Sequence, residues 1–364
     1  MSEDNTMAGR APAAARAARF EASDDLDAIN QLYRERRWSD GLPVVPPTVE
    51  RVERMLRHTR RAPEEFVARV APGFGAATVE RIAINAVLAG CDPEYLPVLI
   101  AATEATADPE FNLQGIQATT NPVAVWLIVN GPLARRLNVN GTCNCLGQGA
   151  WANATIGRAL RLILQNIGGA LPGDMDRATH GQPGKYTFCC AENEDANPWE
   201  PLHVERGYAA DRSTVTVVGA EGTMNMNSHT KNAGELVRVI AETMIHPPSN
   251  EYTHGGEPWL MLGPEHAEIL RRGGLSKSEL KRRLWEESRM PASRMSGKEL
   301  QRVRDSRAHE LGEITPDTLL PISPRPQDIM IVVAGGPGTH SVYIPCFGNS
   351  RAVTREVTGA AIPV

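Results

Sequence analysis

The sequence lacks the features that identify membrane, secreted and nucleic-acid-binding proteins. Its most apolar runs, VAVWLIVNG and IMIVVAGG, have the length of strands, whereas a helix that crosses a bilayer needs about 20 apolar residues. The 38 basic and 43 acidic residues leave a net charge of -5, so we expect no binding to nucleic acid or to membranes. The first stretch, MSEDNTMAGRAPAAARAARF, has no apolar core, which argues against a secretory signal and predicts a disordered arm over residues 1–22.

Complete catalytic or cofactor fingerprints are missing as well. The glycine-rich turns match neither G-x-G-x-x-G nor G-x-x-x-x-G-K-[ST], and they contain no G-x-S-x-G motif. Six cysteines without a secretory signal indicate a reducing, cytoplasmic location. In such a compartment paired cysteines are metal ligands or redox groups more often than disulfides.

Hydrophobic periodicity divides the chain into two portions. Residues 23–110 contain four segments with helical spacing, which predict a mostly helical N-terminal portion. From residue 111 onward helices alternate with short apolar strands, and four of these strands run into glycine turns: 123–129, 214–218, 259–262 and 329–333. We therefore predict an α/β fold, in which the helical portion packs on a mixed, mainly parallel sheet with its loops on one side. The charged stretch 276–311 is predicted to be a solvated helical insertion in the α/β portion, residues 111–364.

Four of the six cysteines occur as two close pairs. Cys143 and Cys145 belong to a glycine-rich turn before a helical pattern, with Asn153 as the expected N-cap. A helix N-terminus favours anions and lowers thiol pKa values, so this turn is suited to a thiolate or a substrate anion. We expect Asn153, Arg158 and Lys185 to bind an anionic group. The alternative is a glycine loop that serves only packing.

The second pair, Cys189 and Cys190, follows the strand-like segment KYTF. Adjacent strand residues point to opposite faces, so we expect at most one of these thiols to share a site with Cys143 or Cys145. The other is expected to be a small buried hydrophobe. Cys143, Cys145, one thiol of the second pair and His203 would also make a four-ligand shell for Zn, Fe or Cu, although their spacing matches no standard zinc motif.

The segment AENEDANPWEPLHVERG is irregular, acidic and aromatic. Its two prolines disfavour helix and strand, so the segment is expected at the surface or along a cavity. Glu192 or Glu194 is a candidate general acid or base, and His203 is a candidate proton shuttle. Trp199 is a candidate substrate contact. The alternative is a solvated loop whose tryptophan packs onto the core.

Two glycine turns provide backbone N–H groups that can bind an anion. One follows the strand at 214–218, and the other is AGGPGTHS. His340 in the second turn is a candidate substrate-binding residue. A catalytic pair of His340 and Ser341 is the weaker interpretation of the same turn.

Five motifs together resemble one bacterial family: WSDGLPVVPPT, ANATIGRALRLILQNIGG, PWEPLHVERG, LGPEHAEILRRGGLSKSELKRRLWEESR and VVAGGPGTHS. Members of this family are encoded beside, or fused to, small proteins with a U-G-S-C or C-G-S-C motif, in which U is selenocysteine. The resemblance extends from about Asp24 onward, and it implies a two-component system in which a partner thiol or selenol works on a molecule that this chain binds. The chain has no such motif of its own. Its Cys143–Cys145 turn departs from the family pattern, which shifts the expected reacting thiol to Cys189 or Cys190.

Together these features favour an enzyme or enzyme subunit, an oxidoreductase or lyase that acts on a small polar or thiol-containing molecule. Cys189 or Cys190 would supply the thiol, while Glu192, Glu194 and His203 would transfer protons. The chain is expected to work in a homo- or hetero-oligomer with its thiol or selenol partner. A metal-dependent lyase or hydrolase with Cys and His ligands is the first alternative, and a non-catalytic scaffold or binding subunit is the second.

Overall fold

The structure is a computed structural model, and it describes residues 16–360. Within them the chain forms thirteen α-helices and twelve β-strands, which confirms the predicted α/β class. Residues 1–15 of the predicted arm lie outside this part. Arg16 and Ala17 both contact the carboxylate of Glu80, at 3.2 Å and 2.8 Å, so the arm is attached to the body from this point onward. None of the helices between residues 16 and 360 combines the length and the apolarity that a bilayer crossing requires.

The N-terminal portion is mostly helical, as predicted. Its helices are α1 (Leu26–Glu35), α2 (Val49–Leu56), α3 (Val79–Ala89), α4 (Leu96–Thr106) and α5 (Leu113–Ala118). The side chains of Thr48 and Thr78 cap α2 and α3 by accepting backbone N–H groups of the first turn, which satisfies donors that have no partner inside a helix. Between these helices lies a hairpin that was not predicted, β1 (Phe66–Val70) and β2 (Gly75–Thr78).

The rest of the chain alternates strands and helices. The strands are β3 (Ala124–Asn130), β4 (Cys189–Ala191), β5 (Thr214–Ala220), β6 (Met224–Asn227), β7 (Trp259–Leu262), β8 (Met290–Pro291), β9 (Leu319–Leu320), β10 (Met330–Val333), β11 (His340–Ile344) and β12 (Val353–Glu356). The helices are α6 (Pro132–Arg136), α7 (Trp151–Asn166), α8 (Leu202–Glu205), α9 (Ala233–Met244), α10 (Asn250–His254), α11 (Pro264–Arg272), α12 (Lys277–Glu287) and α13 (Gly297–Leu311).

Eight of these strands form two four-stranded sheets. Sheet A has the order β12-β5-β3-β4, and sheet B has the order β10-β7-β11-β6. Both are mixed, as predicted, but only β3–β4 and β7–β10 are parallel, while the other four pairings are antiparallel. The expectation of one mainly parallel sheet is therefore wrong. The short link 334–339 between β10 and β11 is one reason. It reverses the direction of the chain, so β11 runs antiparallel to β7, whereas consecutive parallel strands need a crossover of about a dozen residues or more.

Three apolar cores arrange the sheets and helices in four layers. The middle core lies between the sheets, where Trp126 of β3 packs edge-to-face on Trp259 of β7 with ring centroids 5.6 Å apart. Alternate residues such as Leu127 face the outer core of sheet A, which α3, α4 and α7 cover. The outer core of sheet B is covered by α9, α11, α12 and α13. The order of layers is helices, sheet A, sheet B, helices.

Helices α12 and α13 lie in the predicted helical insertion, but they are less solvated than expected. Leu280 and Leu284 of α12 are fully buried in the outer core of sheet B. Three basic residues of the two helices, Lys277, Lys281 and Arg307, are buried as well. Each has an acidic partner, which is the condition under which a charged side chain is buried.

Candidate functional site

Three segments meet where the parallel strands β3, β4 and β10 end. They are the cysteine loop 138–150, the acidic segment 192–205 and the glycine turn 334–339, and we call their meeting point the loop junction. The Asn193 N–H donates to the Val333 oxygen at 2.8 Å, and the Gly335 N–H donates to the Gly141 oxygen at 2.9 Å. The three stretches that the sequence singled out are therefore brought together at one end of the sandwich.

Two glycines allow this close approach. A Cβ added to Gly336 would lie 3.0 Å from the Cα of Cys143, and one added to Gly141 would lie 2.6 Å from the Ala191 oxygen. A side chain at position 336 would push the glycine turn away from the cysteine loop, and one at position 141 would push that loop away from the end of β4. The exposed thiol of Cys143 consequently lies directly beside the glycine turn.

Beneath the loop junction the thiols of Cys145 and Cys190 meet. A hydrogen bond from the Cys190 thiol lowers the pKa of Cys145, and the same hydrogen bond together with burial raises the pKa of Cys190. Cys189 faces the outer core of sheet A instead, where burial raises the pKa of its thiol. The prediction that the adjacent cysteines face opposite sides is confirmed, and Cys190 is the one that shares a site with Cys145.

The predicted metal centre of Cys143, Cys145 and His203 is not assembled. Within residues 16–360 no group of three or more His, Cys, Asp and Glu side chains is close enough to hold a metal ion. Cys145 pairs with Cys190, and His203 packs against Glu194 and the backbone of segment 192–212. Among the expected ligands only Cys145 and Cys190 are neighbours, while His203 lies against Glu194, so the four-ligand shell is not gathered within the described residues.

Glu192 is buried between the two sheets and is surrounded by donors. Its carboxylate accepts the side-chain amides of Asn130 at 2.7 Å and Asn197 at 2.8 Å. It also accepts the backbone N–H groups of Leu202 at 2.8 Å and Val333 at 3.4 Å. Burial nonetheless raises the pKa of Glu192. With its acceptor sites filled, Glu192 fits a structural link between sheets A and B better than the predicted general acid or base.

Glu194 and His203 are neighbours, but their 3.8 Å separation is longer than a hydrogen bond. Glu194 Oε1 accepts the N–H of Gly131 at 2.6 Å and the side-chain amide of Asn130 at 3.0 Å, and it lies 3.8 Å from Nδ1 of His203. The imidazole is fully buried, with Nε2 3.4 Å from the Ala210 oxygen, while the Glu194 side chain is 15% exposed. Of the predicted acid–base residues, these two are brought together.

Asn153 is not the N-cap of the helix that follows the cysteine loop. Helix α7 begins at Trp151 with Ala150 as the cap residue, and Asn153 lies buried in the first turn. Its side chain accepts the Asn140 N–H at 2.7 Å and donates to the Cys145 oxygen at 3.0 Å. The substrate-binding prediction is therefore replaced by a positioning role, in which Asn153 holds the cysteine loop against α7.

Arg158 and Lys185 do not provide free positive charge. Arg158 makes a bidentate pair with Asp40 at 2.7 and 2.8 Å, so it holds the WSDGLP loop on α7. Lys185 donates to both oxygens of Asp176 at 2.8 Å. Because each cation already has a carboxylate partner, the predicted anion site formed by these residues is wrong.

Trp199 and His340 also lie outside the loop junction's thiol site. Trp199 packs on the outer core of sheet B and donates its indole N–H to the Leu275 oxygen at 3.0 Å, as the alternative interpretation expected of the tryptophan. His340 is exposed, with Nδ1 3.1 Å from the Asn225 side-chain oxygen. Ser341 is buried and hydrogen-bonded to Nδ1 of His266 at 2.8 Å, so no pair with His340 forms.

Two asparagines of the site were not predicted. Asn130 ends the otherwise apolar strand β3 and donates to both glutamates of the acidic segment. The Asn140 N–H donates to the side-chain oxygen of Asn153, and the Asn140 backbone oxygen accepts the side-chain amide of Asn153. The sequence signal that would have identified Asn130 is a lone polar residue at the end of a buried strand, directly before a glycine.

A cavity of about 590 Å³ lies elsewhere, between residues 16–24 and helices α1, α2 and α3. Its lining includes Tyr33, Trp38 and Leu88, and it contains none of the predicted site residues. This cavity is large, but the thiols, carboxylates and imidazole that could carry chemistry lie at the loop junction, which is therefore the candidate site.

Searches against models of protein families, curated proteins and solved structures returned no match. The chemistry of the loop junction follows from its residues. Cys143 exposes its thiol in the same loop that carries Cys145 of the buried Cys145–Cys190 pair, and such a pair can interconvert between dithiol and disulfide. Glu194 and His203 add a carboxylate and an imidazole 3.8 Å apart, a distance too long for a hydrogen bond.

Proposed function

We propose that the chain is a thiol-dependent redox enzyme, or a subunit of one, that acts on a small polar or thiol-derived molecule. In this proposal Cys145 and Cys190 cycle between a dithiol and a disulfide. The observation that carries it is that the buried thiols of Cys145 and Cys190, which come from separate segments of the chain, are neighbours in the middle core. The lowered pKa of Cys145 increases its thiolate fraction at neutral pH, and the thiolate is the nucleophile in disulfide exchange.

The exposed Cys143 is the entrance for a substrate disulfide R–S–S–R′. Its thiolate attacks one sulfur, a bond between Cys143 and the R–S group forms, and R′–S⁻ leaves and takes up a proton. The Cys145 thiolate then attacks the Cys143 sulfur and releases R–S⁻, which is also protonated. Finally Cys190 attacks the Cys145 sulfur and frees Cys143. The substrate gains two electrons and two protons, and the Cys145–Cys190 pair loses them.

The cycle needs a reductant that returns the disulfide to a dithiol. A partner protein with a U-G-S-C or C-G-S-C motif, which the family resemblance implies, would supply two electrons through the same exchange chemistry. We place this cycle in the cytoplasm, where the thiol pool keeps such pairs reduced. The lyase alternative has less support, because within residues 16–360 the Cys and His ligands that it needs do not form a group of three or more.

Mass spectrometry after oxidation tests the proposal. The purified protein is equilibrated with graded ratios of oxidised to reduced glutathione, quenched in acid and digested. We expect a linked peptide pair containing Cys145 and Cys190, which disappears in Cys190→Ser. Cys189→Ser is the matched control, because Cys189 neighbours Cys190 on β4 but faces the other core, and this variant should still form the link.

Cys143→Ser distinguishes the role of Cys143 in the first exchange step from the formation of the final Cys145–Cys190 disulfide. If Cys143 is the entrance, this variant should form the Cys145–Cys190 link more slowly but to the same final extent. Glutathione bound to Cys143 without any Cys145–Cys190 link, at every ratio, would contradict the proposal. Buried thiols that react only after unfolding would favour the scaffold or binding-subunit alternative instead.

A further inference from the structure

The end of the sandwich opposite the loop junction holds two glutamates that no functional argument has used. Strand β5 runs antiparallel to β3, so its last residues lie beside the first residues of β3. Glu221 follows β5, and its N–H donates to the Pro345 oxygen at 2.7 Å. Glu251 of α10 accepts the Cys346 N–H at 2.7 Å. Both glutamates therefore flank the end of strand β11.

Glu251 is buried and Glu221 is partly buried, and no basic side chain of the described residues pairs with either carboxyl group. Glu251 is fully buried, and within residues 16–360 no salt bridge reaches either glutamate. Burial, followed by the charge of Glu221, raises the pKa of Glu251 to about 8, and burial also raises the pKa of Glu221. Two close carboxylates in an apolar surrounding favour either protonation or a bound cation.

Two hydroxyl groups beside Glu251 lack partners. The Tyr343 and Ser249 side chains face the Glu251 carboxyl, and they are 0% and 2% exposed. Tyr343 Oη, Ser249 Oγ and Glu251 Oε2 make no hydrogen bond of standard geometry. Buried polar atoms in folded proteins normally have a partner, so three that face one another are suited to share a ligand.

Glu221 connects this pocket to solvent. Its Oε1 accepts the side-chain amides of Asn121, at 2.7 Å, and of Asn250. These donors orient the carboxyl group, and the side chain is only partly buried. Glu221 is therefore the partly exposed member of the two glutamates, and Glu251 is the fully buried one.

We propose that the pocket formed by Glu221, Ser249, Glu251 and Tyr343 binds a hard divalent cation, Ca²⁺ or Mg²⁺. All four residues present oxygen atoms, which are the ligands these cations select. Two carboxylates supply the two negative charges that a divalent cation neutralises, and water completes the coordination on the side of Glu221. The pocket contains no cysteine or histidine ligand, so it is distinct from the metal centre that the sequence predicted.

Thermal unfolding of metal-free protein tests this site. The protein is treated with a chelator, exchanged into chelator-free buffer and unfolded with CaCl₂, MgCl₂ or NaCl at equal ionic strength. We expect Ca²⁺ or Mg²⁺ to raise the Tm of the wild-type protein relative to NaCl, because a ligand of the native state stabilises it. Bound Tb³⁺ should also emit when Tyr343 of the pocket is excited.

The Glu251→Gln variant should lose the rise in Tm and the Tb³⁺ emission. It is expected to fold, because the amide has the same shape and removes an uncompensated carboxyl group. Glu257→Gln is the matched control, since Glu257 is a nearby buried carboxyl that has Arg351 at 3.6 Å and the Ala352 N–H at 2.7 Å as partners. This control should retain the cation effect.

Two results would overturn the proposal. One is a wild-type Tm that neither Ca²⁺ nor Mg²⁺ raises above the NaCl value. The other is an equal rise in wild type and in Glu251→Gln, which would place the cation elsewhere. Either result would leave protonation as the means by which Glu251 avoids a buried charge.

Discussion

Replacing Glu205 by glutamine should destabilise the protein by about 3 kcal/mol, the lower end of the range for breaking a buried ion pair. Glu205 of α8 faces Lys277 and Lys281 of α12, with the Lys277 Nζ 2.6 Å from Oε2 and the Lys281 Nζ in contact with Oε1. The lysine side chains are 4% and 6% exposed, and that of Glu205 is 20% exposed. Without the carboxylate, two buried ammonium groups would lack a counter-charge.

The lower end of the range applies because Glu205 still contacts solvent, which lets water reach the lysines after the substitution. Lys277 also donates to the Glu200 oxygen at 3.1 Å, so one of its hydrogen bonds survives. Burial lowers the pKa of Lys281 even with Glu205 present, which shows how unfavourable its charge becomes once the partner is removed.

The destabilisation should depend on pH. Burial opposes ionisation of Glu205, but the charges and hydrogen bonds of Lys277 and Lys281 outweigh it and lower the pKa of Glu205. A carboxyl with a lowered folded-state pKa contributes stability above its unfolded pKa and loses it as the pH falls through the folded-state value. The difference between wild type and Glu205→Gln should be full above about pH 5 and shrink on acidification below about pH 4.

Urea unfolding followed by tryptophan fluorescence measures these differences in the free energy of unfolding. Glu286→Gln is the control on the same helix, because Glu286 pairs with Arg282 at the surface and its loss should cost less than about 1 kcal/mol. Glu205→Gln combined with Lys281→Met should recover part of the loss by removing one uncompensated charge. Two results would refute the reasoning. One is a Glu205→Gln variant as stable as the Glu286→Gln control, and the other is a double variant with a lower free energy of unfolding than Glu205→Gln alone.

Two further substitutions probe the packing around α7. Asp40→Asn should lower the free energy of unfolding by roughly 3 kcal/mol, because Arg158 would lose its bidentate carboxylate partner. The loop before α2 should then be cut faster in limited proteolysis, and an unchanged digestion rate would contradict this. Gly157→Ala, usually favourable in a helix by about 1 kcal/mol, should instead destabilise the protein in urea unfolding, because the new Cβ would lie 2.7 Å from the backbone nitrogen of Phe188. Gly234→Ala in α9, whose nearest neighbour is a side-chain oxygen at 3.2 Å, is the control, and equal effects at the two glycines would count against the argument.

Local sequence patterns were sufficient for most of the secondary structure. The strand 259–262 was predicted with the bounds that the structure has, since an apolar run depends only on adjacent residues. The hairpin of β1 and β2 escaped prediction because both strands are short, with five and four residues. Strand alternation also predicted that Cys189 and Cys190 face different cores.

The partners of the functional side chains could not be predicted in the same way. Arg158 and Lys185 look like anion ligands in the sequence, but Asp40 and Asp176 neutralise them in the fold. The spacing of residues along the chain carries no information about which distant carboxylate will meet a cation.

The sequence by itself determined the α/β class, the order of most helices and strands, and the three stretches from which the loop junction is built. Only the tertiary structure decided strand direction, the presence of two facing sheets and the pairing of Cys145 with Cys190. The physical reason is that helix caps and strand alternation act over a few bonded neighbours. Hydrogen bonds and charges between distant segments exist only after the sheets have packed and brought those segments together.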